Sequence, residues 1–222
     1  MGIAMISFEK ITETEIIQQI LAGEKSLYEI IVRRFNPHLY KVGRAYNYNH
    51  EDTQDLMQET FIDAYKDLIR FEGRSSFKTW IIRIMMNNCY RKRKKPSFKN
   101  EIIQDVHDDS KPMFTDPNND VERLMQNREL THIIEDALRR IPFDYRMVFS
   151  LREINGLNVS ETAGLLHISE SNVKVRLNRS RAMLRREIEK KYAVGELFAF
   201  NLIYCDAIVE NVMKRILTAD VK

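Results

Sequence analysis

Glycine and proline are scarce, at 7 and 5 of 222 residues, about half the share that average usage of roughly 7% and 5% would give. Sheet-rich folds spend these residues on turns, so their scarcity argues against a large β-sandwich or barrel, and equally against a collagen-like or long disordered chain. Cysteine is scarcer still. Cys89 and Cys205 stand far apart with no CxxC spacing, which argues against a disulfide scaffold or zinc finger and fits a reducing, cytoplasmic setting. No stretch approaches the roughly eighteen uninterrupted apolar residues of a membrane span. Met1–Lys10 lacks the basic start and apolar run of a signal peptide. His38, His50, His107, His132 and His167 show no ligand spacing, and there is no GxGxxG, phosphate loop or nucleophile motif. The expectation is therefore no metal, no cofactor and no catalysis. What remains is 44% hydrophobic and 30% charged, the composition of an all-α protein.

The net charge of +3 says little, but its distribution is uneven. From Tyr48 to Asp63 the chain carries Glu51, Asp52, Asp55, Glu59 and Asp63 without a base. From Arg83 to Lys95 it carries Arg83, Arg91, Lys92, Arg93, Lys94 and Lys95 without an acid. Pro96–Asn127 has seven acids against three bases, and Lys174–Lys191 has eight bases against Glu187 and Glu189. A single basic run is ordinarily a solvated helix face. Two runs on separate units, divided by an acidic connector, favour a polyanion held at two points.

Apolar periodicity predicts helices over Ser26–Phe35 and Leu39–Tyr46, punctuated by Asn36-Pro37, then over Thr53–Ile69 and about Phe77–Lys94. Thr53–Ile69 places Met57, Thr60, Phe61, Ala64, Tyr65 and Leu68 on one face and Asp52, Asp55, Glu59, Asp63 and Lys66 on another. Pro96–Asn119, with three prolines and no sustained period, reads as a flexible linker. A second helical unit follows over about Val121–Arg140, Phe143–Glu153, Val159–His167 and Glu170–Lys191. Pro142 opens one helix, Ser169 caps another, and Ser160 or Asn158 caps the third. The tail Gly195–Lys222 predicts one more amphipathic helix, which includes Cys205. The organisation expected is a domain at 20–95, a linker at 96–120, a domain at 121–192 and an extension at 193–222.

Asn158–Arg185 is the strongest single signal. A short helix with Ala163 and Gly164 for close crossing leads through a tight turn into a second helix. There Val173, Val175 and Leu177 are expected inward and Lys174, Arg176 and Arg179 outward. This is the pattern of a helix-turn-helix that presents bases to a groove.

The segments Ile141–Phe149 and Ile168–Arg181 resemble region 4 of the bacterial sigma-70 family, most closely its small extracytoplasmic-function (ECF) group. Asp52-Thr53-Gln54-Asp55-Leu56-Met57-Gln58-Glu59-Thr60-Phe61, then Phe71–Ile81, then Ile84 and Asn87, resemble region 2. Both sets lie in the family's order and spacing, over about residues 20 to 192. Two departures stand out. The family's usual Asp near the end of the Trp80 helix is replaced within Tyr90-Arg91-Lys92, and Ile141 replaces the usual leucine before proline.

The resemblance implies an alternative sigma factor that joins RNA polymerase core and recognises promoters. Asp52, Asp55, Gln58, Glu59 and Ile62 would dock on the clamp helices of the largest subunit, a mixed acidic and apolar face suited to a partly basic coiled coil. Region 4 would meet the flap of the second-largest subunit. Phe71, Gly73, Arg74, Ser75 and Lys78 would hold an unstacked base of the −10 non-template strand, and Arg83, Asn87, Arg91 and Lys92, with Arg93, would track the opened strand. Ser171, Asn172, Lys174, Arg176 and Arg179 would meet the −35 duplex. The acidic linker would thread the polymerase, and an anti-sigma factor is a candidate partner. Trp80 reads as core rather than a stacking platform, because Ile81, Ile84 and Met85 share its helix.

Two other readings compete. Clustered carboxylates can hold Mg²⁺ in a nuclease, but these acids lie along one helix with no partner cluster. A helix-turn-helix regulator that binds operator duplex as a dimer would explain the second unit and leave Asp52–Trp80 without a role.

Overall fold

Thr12 and Glu15 close a capping box, with the Thr12 N–H donating to Glu15 Oε2 at 2.9 Å and the Glu15 N–H to Thr12 Oγ1 at 3.3 Å. This satisfies donors that a helix start otherwise leaves orphaned. It begins α1 (Glu13–Leu21), which buries Ile16, Ile17 and Ile20. The computed structural model describes residues 11–95 and 133–191, so the expectations for the linker and the tail, Cys205 included, lie outside the described residues. Every regular element among them is helical.

α2 (Tyr28–Ala45) runs unbroken through Pro37, where the sequence predicts a break. A proline inside a helix costs about 3 kcal/mol. Here Ile31, Phe35, Leu39 and Val42 recur along one side and are all buried, and packing that stripe outweighs the lost hydrogen bond. α3 (His50–Lys66) starts at Asn49, whose Oδ1 accepts the Asp52 N–H at 2.7 Å. A short 3-10 turn, Leu68–Arg70, ends it. Its buried residues are Thr53, Leu56, Met57, Thr60, Phe61 and Ala64. Tyr65, expected on that face, is exposed at its margin and meets the Tyr28 ring edge-on at 5.0 Å. α4 (Phe77–Lys94) has the predicted bounds and is capped by Ser76.

α2, α3 and α4 pack on one another around Gly43. A Cβ there would lie 2.5 Å from Thr53 Cγ2 and 3.1 Å from Met85 Cε, so only glycine lets the three helices approach. Gly43→Ala should therefore destabilise the protein by about 1–3 kcal/mol through overpacking, read as a lower urea midpoint with unchanged m-value. Polar groups in this core are paired: Thr60 Oγ1 donates to Leu56 O at 2.6 Å, and Asn88 Nδ2 donates to Thr60 Oγ1 at 3.2 Å. Cys89 is fully buried, and burial pushes its thiol well above the usual range, as expected of a small core hydrophobe.

The second half comprises α5 (described over 133–140), α6 (Phe143–Phe149), α7 (Val159–Leu166) and α8 (Glu170–Lys191). α6 widens into a π-helical turn, Ser150–Ile154, closed by the Asn155 N–H on Ser150 O at 2.9 Å. Gly156 then turns the chain at φ +68°. The α7 cap is Asn158, with Glu161 completing a capping box. His167, at φ 54° and ψ 44°, makes the tight turn into α8, and Ser169 Oγ accepts the Asn172 N–H at 3.2 Å. Val148, Ala163, Val173 and Leu177 form the core of this helix-turn-helix. Met147, Leu151, Leu157 and Leu165 instead join the large core built by α1–α4.

Candidate nucleic-acid interface

On α3, Asp55, Gln58 and Glu59 are exposed and Ile62 is 54% exposed. Asp52 is not part of that open stripe, because it is ion-paired with Lys92 of α4. Arg91 reaches back to Glu59 at 3.6 Å and to Asp63 at 3.4 Å. The acidic helix and the basic helix end thus neutralise each other along one edge. Asp55, Gln58, Glu59 and Ile62 remain exposed on that face.

The turn before α4 is held by aromatic packing. The Phe71 ring lies 5.3 Å from both Phe77 and Trp80, so Trp80 belongs to this cluster, as its neighbours on the helix suggested. Gly73 sits at φ +69° with open space around it, and Arg74 is exposed and paired with Glu72 through Nε at 2.6 Å. Ser75 is half-buried. Along α4, Arg83, Asn87, Tyr90, Arg91 and Lys94 are exposed at three- and four-residue steps, one polar and basic stripe suited to tracking a backbone. Sequence reading passed over Tyr90, which is 52% exposed with the Lys94 ammonium 4.6 Å from its ring centroid. A lone aromatic between bases was the available signal.

Lys78 does not project freely: its Nζ donates to Asn155 O at 2.8 Å. Beside it, Thr79 Oγ1 donates to Glu161 Oε1 at 2.7 Å and Ser76 Oγ to the same atom at 3.2 Å. Desolvation alone would raise the Glu161 carboxyl. The Asn158 N–H, the two hydroxyls and the Lys78 charge outweigh it and leave the group lowered. His38 Nδ1 meets Asn155 Oδ1 at 3.1 Å, and desolvation keeps that imidazole below its ordinary range. Ser76, Thr79, Asn155 and Glu161 carried no long-range signal in the sequence, since their partners lie 77 to 117 residues away.

In the first turns of α8, Glu170, Ser171, Lys174, Val175, Asn178 and Arg179 are exposed. Val175 is 46% exposed, contrary to the inward position expected. Two steps along a helix rotate the side chain by about 200°, so Val173 and Val175 cannot share a face. Arg176 turns toward α6 instead, 3.3 Å from Asp144 and 3.2 Å from Asn172 Oδ1. Arg179 reaches the Tyr145 hydroxyl at 3.5 Å, and Asn172 is half-buried.

No helix among the described residues is long and apolar enough to cross a membrane. No group of three or more His, Cys, Asp or Glu among them could hold a metal ion.

Two family models match, sigma-70 region 2 over residues 31–97 and sigma-70 region 4 over residues 131–184, together more than half of the chain. Among curated proteins, the ECF RNA polymerase sigma-E factor of Haemophilus influenzae is 25% identical over 185 residues, 82% of this chain and 97% of that one. The protein of the same name from Escherichia coli K12 is 27% identical over 186 residues, 82% and 96% of the two chains. Among solved structures, CnrH in complex with the cytosolic domain of CnrY has a TM-score of 0.55 at 22% identity, covering 80% of this chain and 97% of that one. The sigma factor RpoE with the anti-sigma factor NepR from Bartonella quintana has a TM-score of 0.57 at 19% identity, covering 73% and 96%. These two share the fold. The chain belongs to the sigma-70 family, as a sigma factor of the ECF type. That family is not a class of enzymes.

Proposed function

We propose that this chain is an alternative sigma factor that binds RNA polymerase core in the cytoplasm, recognises a promoter through two helical domains, and opens the DNA for transcription initiation. The observation that carries this reading is the presence of both sigma regions, in order, on one chain. Each presents a surface suited to its partner. Asp55, Gln58, Glu59 and Ile62, with Asp52 at the margin, face the clamp helices of the largest subunit, and region 4 meets the flap of the second-largest. Phe71, Gly73, Arg74, Ser75 and Lys78 serve the −10 strand, and Arg83, Asn87, Arg91 and Lys92 the phosphates beyond it. Ser171, Asn172, Lys174, Arg176 and Arg179 serve the −35 duplex, and the linker at 96–120 connects the two domains. An anti-sigma factor is a further partner, in keeping with the complexes in which the structural neighbours were solved. Run-off transcription with core polymerase and a promoter library tests the whole reading. Transcripts that require the chain support it, and a chain that binds duplex DNA but leaves core inert overturns it.

Within the helix-turn-helix, Lys174 and Arg176 should separate. Lys174 is exposed on the outer face. Lys174→Ala should weaken duplex binding and reduce the salt slope by about one. Arg176 is tied to Asp144, so Arg176→Ala should lower the melting temperature as well. Equal salt slopes and equal melting temperatures for the two variants would contradict this division.

A further inference from the structure

Val175 is the one large apolar side chain left exposed in the helix-turn-helix among the described residues. Its apolar neighbours on α8 are spent inward. Val173 and Leu177 are both buried, in one core with Val148 and Ala163, and Val175 adds nothing to it. Nor is valine there for the helix, since its branched side chain loses rotamer freedom against the preceding turn and makes it a weaker helix former than alanine. An exposed residue that serves neither packing nor propensity points to a contact outside the chain. The other side chains of this face define that contact. At about 100° per residue, Asn178 and Val175 lie about 20° and 40° to either side of Ser171, with Lys174 and Arg179 at the two margins. All five are exposed. Short uncharged side chains thus occupy the crest of the helix, and a cation stands on each flank. A helix in the major groove needs this arrangement, with phosphates along both walls and base edges on the floor.

Resting on the sigma-factor reading, we propose that Val175 reads the 5-methyl group of one thymine in the −35 duplex and is the apolar specificity residue of α8. The thymine methyl is the apolar group that the major groove offers among hydrogen-bond donors and acceptors. Valine has no hydrogen-bonding atom, so of the groups on that floor it suits the methyl. Its χ1 is held largely to one rotamer in a helix, and little freedom is lost on contact. Cytosine at the same position lacks the methyl and sets its amino group beside the valine, desolvated and unpartnered. Discrimination therefore has an attractive and a repulsive part. Lys174 and Arg179, on the flanks, hold phosphates and position the helix without reading sequence.

The test uses holoenzyme, the full chain with core polymerase, on a promoter drawn from the run-off library. Each thymine of the −35 segment is replaced in turn by deoxyuridine, which keeps base pairing and removes only the methyl. At one position this should weaken wild-type binding by about three- to fivefold, the worth of one methyl taken out of water. Val175→Ala should bind the unmodified promoter more weakly by a similar factor and show no further loss with deoxyuridine at that position. At every other thymine the variant and the wild type should respond alike. The variant's melting temperature should not fall, since the side chain is exposed; a fall places Val175 in the fold and counts against the proposal. Wild-type binding that is indifferent to deoxyuridine at every position overturns it, as does a −35 segment without thymine. So does a deoxyuridine effect that Val175→Ala retains in full, because another side chain then reads the methyl. Transcription that does not require the chain overturns the sigma-factor reading itself, whereas chain-dependent transcription without the deoxyuridine effect removes only Val175 from the readout.

Discussion

Asp55→Arg combined with Glu59→Arg abolishes association with core polymerase while helicity stays unchanged. Asp55 is exposed, and Glu59 makes only a long, solvent-facing pair with Arg91, which contributes little to stability. The fold therefore tolerates the reversal. At a docked, partly desolvated contact the same change turns two attractions into repulsions and costs about 2–5 kcal/mol, a loss of at least ~30-fold in affinity. Size-exclusion or pull-down with core enzyme reads it directly, with circular dichroism as the control. Asp52→Asn is the informative contrast. Asp52 is paired with Lys92, so its loss should affect melting at least as much as binding. Undiminished core binding by the double variant would remove α3 from the interface.

Arg146→Met lowers stability by about 2–4 kcal/mol, because it removes all the hydrogen bonds of one buried guanidinium at once. The Arg146 side chain is 6% exposed and donates to Ala45 O at 2.7 Å, Arg139 O at 2.9 Å, Ile141 O at 3.0 Å and Leu138 O at 3.3 Å. These acceptors come from α2, α5 and the turn before α6, so one guanidinium joins three segments. Desolvation, reinforced by the Arg93 charge, pulls its pKa down to about 10, still far above neutrality. The cation is retained because its fork matches several acceptors at once. Methionine keeps most of the volume, so a loss on this scale in urea denaturation measures the hydrogen bonds. A change below about half a kcal/mol would mean that water replaces them.

Much of this was legible in local sequence. α4 has the bounds that its periodicity implies, α8 begins after its cap Ser169, and Cys89 is buried as a small residue on an apolar stripe should be. The acidic run ending at Asp63 and the basic runs from Arg83 and from Lys174 lie on the helices where they were read. The errors share a cause. The break at Pro37, the inward Val175, the outward Arg176 and the open Asp52 were each judged from a residue and its immediate neighbours. Each was decided by a group from another element: the buried stripe beside Pro37, Val173 fixing the inner face of α8, Asp144 opposite Arg176, and Lys92 opposite Asp52.

By itself the sequence determined an all-helical chain, its helix limits where caps and periodicity agree, and a sigma-70 family pattern in two segments. These rest on short-range physics, since a cap, a turn or a 3.6-residue period is complete within a few positions. Only the tertiary structure decided that Met147, Leu151, Leu157 and Leu165 enter the core of α1–α4, that Arg146 reaches Ala45, and that Glu161 lies on Ser76 and Thr79. Burial and hydrogen bonding between residues eighty or more positions apart depend on which apolar faces meet. Composition and periodicity leave that open, because many pairings of amphipathic helices hide the same apolar area.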